Sequence, residues 1–261
     1  MNLLVTDENQ VRTILLHRPD RLNAFDVPLV RDLARTLEEV NGDPEISVVV
    51  LSGSGRAFSS GADLKGVAAH LAAQPTGEAP ESGSQANRSA GGLSIFAGLI
   101  DALSALTKPL LIAVNGVGVG FGLTILAFAD LVFMSSEARL KCPFTDIGLP
   151  PEAASTYLLP LLLGRQNAAW MLLASEWIEA DDARAMGLVW RVCNPEDLLP
   201  TTQSYARTLA AKNVGGLVVT KRLLNASHRD AIAAAVQREN AAMAEVLQGG
   251  LDPSVLSKFS G

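Results

Sequence analysis

The apolar residues of this chain form short unbroken runs in some stretches and recur at helical spacing in others. Leu110–Val114 is an unbroken apolar run of strand length, and Ile46–Leu51 is a second run, rich in β-branched residues. Such runs are typical of strands that are covered on both faces. Between Pro28 and Gly42 the apolar residues repeat as in an amphipathic helix with clear start and stop signals. This order of strands and helix predicts a sheet covered by helices.

Shorter elements are predicted on either side of these. They are strands at Leu3–Val5, Val11–His17 and Leu188–Val192, and helices at Thr156–Leu163, Ala168–Leu173 and Ala180–Met186. From Pro195 onward only helices are predicted, at Leu198–Ala211, Leu217–Ser227 and Asp230–Leu247. Their apolar faces are larger than one small helical segment needs, so we expect subunit contacts there. The stretch Gly66–Gly92 is rich in small and polar residues, which predicts a mobile or partly disordered segment.

A glycine run follows the central apolar strand. Gly116, Gly118, Gly120 and Gly122 alternate with larger residues, so a ligand can approach the backbone amides closely. The apolar stretch Phe121–Ala129 then predicts a buried helix, whose first N–H groups lack partners within the helix. Amides aimed at one point stabilise negative charge. The run therefore predicts an anion site, although tight turns alone would explain Gly116 and Gly118 equally well.

Composition excludes several classes of function. A net charge of −6 and a pI near 5.1 argue against a nucleic-acid surface. Cys142 and Cys193 lie far apart and match no zinc or CxxC spacing, so neither a metal site nor a disulfide framework is predicted. The N-terminus carries Asp7 and Glu8 without an apolar signal core, and no apolar run reaches the length of a membrane span. We expect a soluble cytoplasmic protein without nucleic-acid or membrane partners.

Common nucleotide and nucleophile motifs do not fit the sequence. A dinucleotide fingerprint that starts at Gly116 would need a glycine where Phe121 stands, and a phosphate loop that starts at Gly61 would need a lysine where Val67 stands. No G-x-S-x-G occurs. The three histidines, His17, His70 and His228, are each predicted to be structural or solvated rather than catalytic.

Several blocks carry a family resemblance. The sequence resembles the crotonase superfamily, the enoyl-CoA hydratase/isomerase fold, over about residues 10–200. The matching blocks are Arg18–Ala24, Ser52–Leu64, Lys108–Gly116, Asp130, Ala138, Pro143, Gly148 and Ala183–Val192. The resemblance implies an α/β spiral of ββα units in residues 1–195 and a helical oligomerisation segment in residues 196–261. It also implies a homotrimer, with a dimer of trimers as an open alternative.

The same resemblance implies an acyl-CoA substrate. By position, the backbone N–H groups of Ala62 and Phe121 form an oxyanion hole for the thioester oxygen, and Gly61 and Gly120 free the backbone beside them. The implied contacts with substrate or CoA are Arg21, Asn23, Ala24, Gly61, Asp63, Leu64, Lys65, Gly120, Phe144 and Lys258. The apolar residues Phe96, Leu99, Phe144 and Leu149 are candidates for an acyl pocket or for core. No metal and no cofactor is expected, since CoA is part of the substrate.

The acidic residues depart from the hydratase pattern. Where hydratases of this family place their two glutamates, this chain has Thr124 and Phe144, which cannot titrate. Glu152 follows a little later, and its segment resembles that of monofunctional Δ3,Δ2-enoyl-CoA isomerases, whose single acid stands at the matching place. Apolar flanks should raise the pKa of Glu152 towards that of a useful base. A competing interpretation is a helix N-terminal carboxylate that caps Ser155 and Thr156.

Three hypotheses follow. The first is an isomerase that moves a double bond from position 3 to position 2 of an acyl-CoA, with Glu152 as the proton shuttle. The second is another CoA-thioester reaction on the same oxyanion hole, such as hydration, hydrolysis or decarboxylation. The third is a non-catalytic acyl-CoA-binding or scaffold protein. The length of the acyl chain and the pathway stay open.

Overall fold

The structure, a computed structural model, describes residues 2–63 and 96–248 and contains two β-sheets. The strands are β1 (Leu3–Glu8), β2 (Val11–Leu16), β3 (Val48–Gly53), β4 (Ala57–Ser59), β5 (Leu110–Val114), β6 (Val117–Val119), β7 (Leu131–Ser135), β8 (Arg139–Lys141), β9 (Ile178–Glu179) and β10 (Arg191–Cys193). The larger sheet has the order β1-β2-β3-β5-β7-β10 and is parallel except for the β1–β2 hairpin. The smaller sheet has the order β4-β6-β8-β9, with β9 antiparallel.

Helices connect and cover these sheets. They are α1 (Val27–Gly42), α2 (Ala97–Ala105), α3 (Phe121–Thr124), α4 (Ser155–Leu173), α5 (Ala180–Met186), α6 (Leu198–Ala210), α7 (Val214–Asn225) and α8 (Arg229–Gln248). Short 3₁₀ turns lie at Pro19–Arg21, Ile125–Phe128, Thr145–Ile147 and Pro195–Asp197. Within the described ranges, no helix is long and apolar enough to cross a membrane.

The central strands of the larger sheet are covered on both faces, as their unbroken apolar runs predict. All five residues of β5 are buried, and β5 lies between β3 and β7. Leu110 and Ile112 belong to the main core, whereas Leu111 and Ala113 point to the other face. On that second face they pack with α6. Because side chains alternate along a strand, a run buried at every position needs a layer on each side.

Strand pairs repeat along the chain in a regular way. The pairs β3–β4, β5–β6 and β7–β8 each place their first strand in the larger sheet and their second strand in the smaller one. The next described helix after each pair is α2, α3 and α4 respectively. This succession of ββα units confirms the predicted fold class.

Some predicted elements differ in detail from the observed ones. The buried helix expected over Phe121–Ala129 is α-helical only to Thr124 and continues as a 3₁₀ turn. The two helices expected before Leu173 form one element, with a break at Gly164, where φ is +74°. The last strand begins at Arg191 rather than Leu188. The three C-terminal helices are confirmed within three residues at each end.

The predicted division after residue 195 stays a prediction. Packing continues across this point, because Leu198, Ala206 and Ala210 of α6 share a core with the larger sheet. The segment Gly66–Gly92, predicted to be mobile, lies outside the described residues.

Candidate active site

Two loops meet where neighbouring strands of the smaller sheet end. Strands β4 and β6 pair in parallel, with Ala57 opposite Val117, so their carboxyl ends lie at the same edge of the sheet. Gly61 and Ala62 follow β4, and Gly120 and Phe121 follow β6. A Cβ atom placed on Gly61 would lie 3.6 Å from the backbone nitrogen of Phe121. The sheet topology therefore brings together the two loops that carry the predicted oxyanion amides.

Neither amide has a hydrogen-bond acceptor among residues 2–63 and 96–248. Phe25 donates its N–H to the Gly61 carbonyl (2.8 Å), and its own carbonyl accepts from the Asp63 N–H (2.9 Å). The N–H of Ala62 lies between these two hydrogen bonds and takes part in neither. Phe121 is the first residue of α3, where an N–H has no acceptor within its helix. In the part of the chain that the structure describes, no acceptor bonds either N–H. Two such donors suit an oxygen that gains negative charge.

Glycine is required where the two loops touch. Gly61 has a φ of +87°, and a Cβ there would lie 2.6 Å from the carbonyl oxygen of Val119. That distance is a clash with backbone, which cannot swing away. Gly120 has a φ of +53° and donates its N–H to the carbonyl of Lys141 (2.9 Å). The loops can approach each other this closely because Gly61 lacks a side chain, whereas at Gly120, where nothing lies within 4 Å of a Cβ position, it is the positive φ that favours glycine.

Glu152 is joined to the same helix through Thr124. The hydroxyl of Thr124 donates to Glu152 Oε1 at 2.9 Å, and Thr124 is completely buried. Thr124 stands three residues after Phe121, which is about 4.5 Å along a helix axis. One short helix thus presents the Phe121 amide at its start and holds the Glu152 carboxylate near its end. Sequence reasoning treated Thr124 only as a missing acid and did not predict this contact.

The carboxylate of Glu152 lies in a poorly solvated environment. Glu152 is half-buried as a residue, but its Oε2 has essentially no exposed surface and no hydrogen-bond partner among the described residues. Burial raises the pKa of Glu152 to about 8, the hydrogen bond from Thr124 opposes this rise, and the nearby carboxylate of Glu239 adds to it. The expected direction of the pKa shift is confirmed. Such a group can both accept and release a proton near neutral pH.

The competing interpretation of Glu152 as a helix cap is wrong. The N–H of Thr156 donates to Glu239 Oε1 (2.9 Å), and the N–H of Ala154 donates to Glu239 Oε2 (2.7 Å). The N–H of Ser155 donates to the backbone carbonyl of Glu152 (3.2 Å), not to its side chain. The helix start is therefore capped from α8, and the side chain of Glu152 is left for the site. Sequence reasoning missed Glu239; the one signal was an alanine at the N-cap, which cannot cap by itself.

The loop at residues 18–24, which carries several predicted CoA contacts, is held in place by hydrogen bonds and ion pairs of Asn23 and Arg18. Asn23 is fully buried, and its amide nitrogen donates to the carbonyls of Ser54 (2.9 Å) and Ala57 (2.8 Å). This burial corrects its predicted role, because Asn23 joins two loops instead of offering a surface to CoA. Arg18 pairs with Asp26 (3.1 Å) and with Asp63 (3.3 Å), so Asp63 takes part in a structural ion pair.

The other residues predicted to contact substrate or CoA are exposed, buried or outside the described ranges. Arg21 is exposed on the first 3₁₀ turn, and Ala24 is buried and accepts a hydrogen bond from Arg18. Phe144 is buried just after β8. Leu64, Lys65 and Lys258, proposed from the resemblance, lie outside the described residues.

Most residues proposed for an acyl pocket are core. The rings of Phe96 and Phe121 stack with centroids 3.9 Å apart, and Phe25 meets Phe121 edge-on at 4.9 Å. Leu99 has no exposed surface. This aromatic cluster holds Phe121, whose N–H is one of the two predicted oxyanion donors. Leu149, which is half-buried, is the remaining candidate for an acyl pocket.

Two histidines have hydroxyl partners. His17 Nδ1 lies 3.0 Å from Ser54 Oγ, and His228 Nδ1 lies 2.8 Å from the hydroxyl of Tyr157. Neither is hydrogen-bonded to Glu152 in the described part of the chain, which agrees with their predicted structural role, and His70 lies outside the described residues. Over residues 2–63 and 96–248, no cluster of acidic, cysteine or histidine side chains could hold a metal.

Comparison with known proteins shows which family the chain is similar to. The family model for enoyl-CoA hydratase/isomerase matches residues 6–249. The chain is 34% identical over 225 residues to 1,2-epoxyphenylacetyl-CoA isomerase of Escherichia coli, covering 86% of this chain and 82% of that protein. It is 29% identical over 238 residues to enoyl-CoA delta isomerase 2 of Rattus norvegicus, covering 91% of this chain and 58% of that protein.

Solved structures of similar proteins have the same fold. A crystal structure of an enoyl-CoA hydratase/isomerase from Pseudoalteromonas atlantica is 32% identical, with a TM-score of 0.88, and the match covers 99% of this chain and 96% of that one. The names of the relatives mix isomerases with hydratases, so similarity alone does not choose between the two reactions.

Proposed function

This chain belongs to the enoyl-CoA hydratase/isomerase family, and we propose that it moves the double bond of a 3-enoyl-CoA to the 2-trans position with Glu152 as its only proton shuttle. The observation that carries the proposal is the pairing of Thr124 with Glu152 at 2.9 Å. Where a hydratase of this family has its first glutamate, this chain has Thr124, whose hydroxyl donates to the carboxylate of Glu152.

The first step would remove a proton from C2 of the substrate. The ionised carboxylate of Glu152 accepts that proton, and the electron pair of the C2–H bond spreads into the thioester carbonyl. The N–H groups of Ala62 and Phe121 bind the resulting oxyanion; removing one such donor typically costs about 3–4 kcal/mol of transition-state stabilisation. Both donors belong to the backbone and are held by the two touching glycine loops.

The second step would return the same proton to C4. The double bond then lies between C2 and C3, conjugated with the thioester, and Glu152 is ionised again. A group whose pKa is about 8 suits both steps, because it is neither too weak a base for the first nor too weak an acid for the second. The atoms balance without water, metal or a redox partner.

Hydration needs more groups than this site supplies. Adding water across the double bond requires one group to deprotonate the water and another to protonate the α-carbon. Thr124 already donates its hydroxyl to Glu152, and Phe144 has no titratable group. These two positions favour isomerisation over hydration.

We also propose that the protein assembles through its C-terminal helices and neighbouring surfaces, as a homotrimer. Large apolar side chains are exposed there, namely Trp170, Leu173, Trp190, Leu223 and Leu224. Exposed apolar groups of this size mark contact surfaces. Sedimentation at micromolar concentration should give a species of three chains, and a monomer would contradict the proposal.

The reaction is tested with two substrates. Purified protein is incubated separately with a 3-enoyl-CoA and with the 2-trans-enoyl-CoA of the same chain length. Conjugated enoyl thioester is followed by absorbance, and 3-hydroxyacyl-CoA is followed by mass spectrometry. We expect isomerisation to exceed hydration by orders of magnitude. Comparable hydration would favour the hydratase hypothesis, and binding without either product would favour the non-catalytic one.

A further inference from the structure

Glu239 is a buried carboxylate with no part in the proton transfer described above. It lies on α8, only 5% of its surface is exposed, and its partners all belong to the start of α4. Oε2 accepts the N–H of Ala154 at 2.7 Å. Oε1 accepts both the N–H of Thr156 at 2.9 Å and the hydroxyl of Thr156 at 2.6 Å. A carboxylate desolvated to this degree is costly unless it is bonded, so its position needs a reason.

The turn that Glu239 grips is strained. Ala153 and Ala154 follow Glu152 directly, and both have left-handed backbone angles, with φ values of +63° and +55°. Residues with a Cβ rarely adopt this conformation, and they keep it only where surrounding contacts enforce it. Both alanines are buried, so their small side chains fit the core on either side of the bend. The strain lies immediately beside the carboxylate that the site uses.

Glu239 supplies the contacts that enforce the turn. In the described parts of the chain, it is the only side chain that bonds the backbone N–H groups of Ala154 and Thr156. These N–H groups lie at the start of α4, where a negative charge is favoured by the helix dipole and by amides that have no acceptor within the helix. Without that acceptor, the N–H groups of Ala154 and Thr156 would lose their partner and the strained bend would lose its support.

We propose that Glu239 is a positioning residue for Glu152, because its carboxylate holds the Ala153–Ala154 turn from α8 and so fixes where the carboxylate of Glu152 stands. This role rests on the proposed function, since it takes Glu152 as the base. Glu239 itself does not touch the reacting atoms; it acts through the backbone of the turn.

The charge of Glu239 acts in the same place. The pKa of Glu152 is raised first by burial and also by repulsion from Glu239. The other groups that face the pair are the Thr124 hydroxyl from α3, the buried Cys142 thiol after β8 and Arg238 on α8 beside Glu239. Of these, Thr124 lowers the pKa of Glu152 and Arg238 lowers that of Glu239. Removing the charge at residue 239 should therefore make Glu152 a weaker base.

The test compares Glu239→Gln with Glu245→Gln, which changes an exposed carboxylate on the same helix. A glutamine keeps one acceptor but turns an amide group towards a backbone N–H. We expect kcat for 3-enoyl-CoA to fall about 10- to 100-fold in Glu239→Gln, as for a base displaced by a fraction of an ångström to 1 Å. We expect KM to stay within about two-fold, because the oxyanion amides are untouched. The limb of the pH–rate profile assigned to Glu152 should move to lower pH, and Glu245→Gln should match the unmutated protein.

A purely structural role for Glu239 predicts another result. Activity would then fall only in proportion to the folded fraction, with kcat per folded molecule and the pH profile unchanged, and that outcome would overturn the proposal. If Glu239→Gln does not fold, Thr156→Val decides, because it removes one of the three hydrogen bonds at an exposed residue and leaves the charge. A lower kcat in folded Thr156→Val supports positioning, and an unchanged kcat refutes it.

A readout independent of turnover separates this inference from the proposed function. Carboxyl ¹³C NMR of glutamate-labelled protein follows the titration of Glu152, whose resonance is identified by its loss in Glu152→Gln. A lower Glu152 pKa in Glu239→Gln, with shifted amide signals for Ala154 and Thr156, supports the contact even if 3-enoyl-CoA proves not to be a substrate. Unchanged signals would refute the contact even in an active isomerase.

Discussion

The hydroxyl of Thr124 lies 2.9 Å from Oε1 of Glu152 and ties the carboxylate to the helix that begins with the Phe121 amide. The proposed base and one of the two proposed oxyanion donors are therefore connected through one short helix. Thr124 has no exposed surface, so no water replaces its hydrogen bond when the hydroxyl is removed. This relationship makes Thr124 a sensitive place to test the mechanism.

Thr124→Val should weaken the enzyme mainly near neutral pH. Valine keeps the shape of threonine but cannot donate, and this hydrogen bond lowers the pKa of Glu152. A hydrogen bond to a charged group contributes about 1.5–3 kcal/mol, so the pKa should rise by about one to two units. We expect kcat/KM at pH 7 to fall about ten-fold or more and to recover in part above pH 9. Thr124→Ser, which keeps the hydroxyl, is the control, and equal pH profiles for the two variants would contradict the assigned contact.

Glu152→Gln should abolish most turnover while leaving the ligand bound. Glutamine keeps the size of the side chain and can still accept from Thr124, but it cannot take a proton. We expect kcat to fall by about 10²–10⁴-fold, with CoA-thioester affinity measured by calorimetry nearly unchanged. Glu176→Gln, at an exposed position before β9, should behave like the unmutated protein. Retention of most isomerase activity by Glu152→Gln would mean that another base acts, and Asp63 or Asp146 would be tested next.

Glu152→Gln should also stabilise the fold, by an amount that depends on pH. The pKa of Glu152 is about 8 in the folded protein against an ordinary value of 4.5, so the folded state holds a proton that the unfolded state releases between these two values. Stability from this group is therefore lost as the pH rises from about 4.5 to 8 and is constant above that range. Glu152→Gln removes the penalty, so its advantage in the free energy of unfolding should grow over the same interval. Urea unfolding at several pH values measures it, and a constant difference would refute the raised pKa.

Gly61→Ala should damage both the site and the fold. A Cβ at this position lies 2.6 Å from the Val119 carbonyl oxygen, and the φ of +87° is itself unfavourable for alanine. We expect a stability loss of about 1–3 kcal/mol from the strain and a fall in kcat of about 10²-fold or more, because the neighbouring Ala62 N–H is displaced. Gly42→Ala is the control, since nothing lies within 4 Å of its Cβ position. Normal activity in Gly61→Ala would show that the Ala62 amide does not bind the oxyanion.

The parts of the site that sequence reasoning predicted are those with local signals. The buried strand β5 is visible as an unbroken apolar run, and the glycines that follow it mark a backbone that approaches other groups closely. Ala62 and Phe121 were assigned by position from the family resemblance, and the sheet topology brings their loops together, because β4 and β6 are parallel neighbours that end at one edge of a sheet. The strand and the glycines could be recognised from short stretches of chain, whereas the pairing of the two amides came from the resemblance.

The remaining contacts depend on distant parts of the chain. Thr124 and Glu152 are 28 residues apart, and the spacing does not indicate that one would donate to the other. Glu239 is 85 residues from Ala154, on a helix whose pattern shows only an apolar face and a charged one. A charge on such a helix is usually solvated, so this one could be recognised as buried only after the helices had been packed. Asn23 was misjudged for the same reason, because burial behind a loop leaves no mark in the sequence.

The contact between Glu239 and the Ala154 turn has a consequence for how the protein is made. Chains leave the ribosome from the N-terminus, at about 5–20 residues per second, so the strands and loops that carry Ala62, Phe121 and Glu152 emerge well before α8 does. The bend after Glu152 cannot receive its acceptor until residue 239 is free to fold back. A nascent chain or a fragment that ends within α7 would contain Ala62, Phe121 and Glu152 but would lack Glu239, the acceptor for the Ala154 and Thr156 N–H groups. If Glu239 positions Glu152 as proposed, catalytic competence should be acquired late in translation, once α8 has packed on the start of α4.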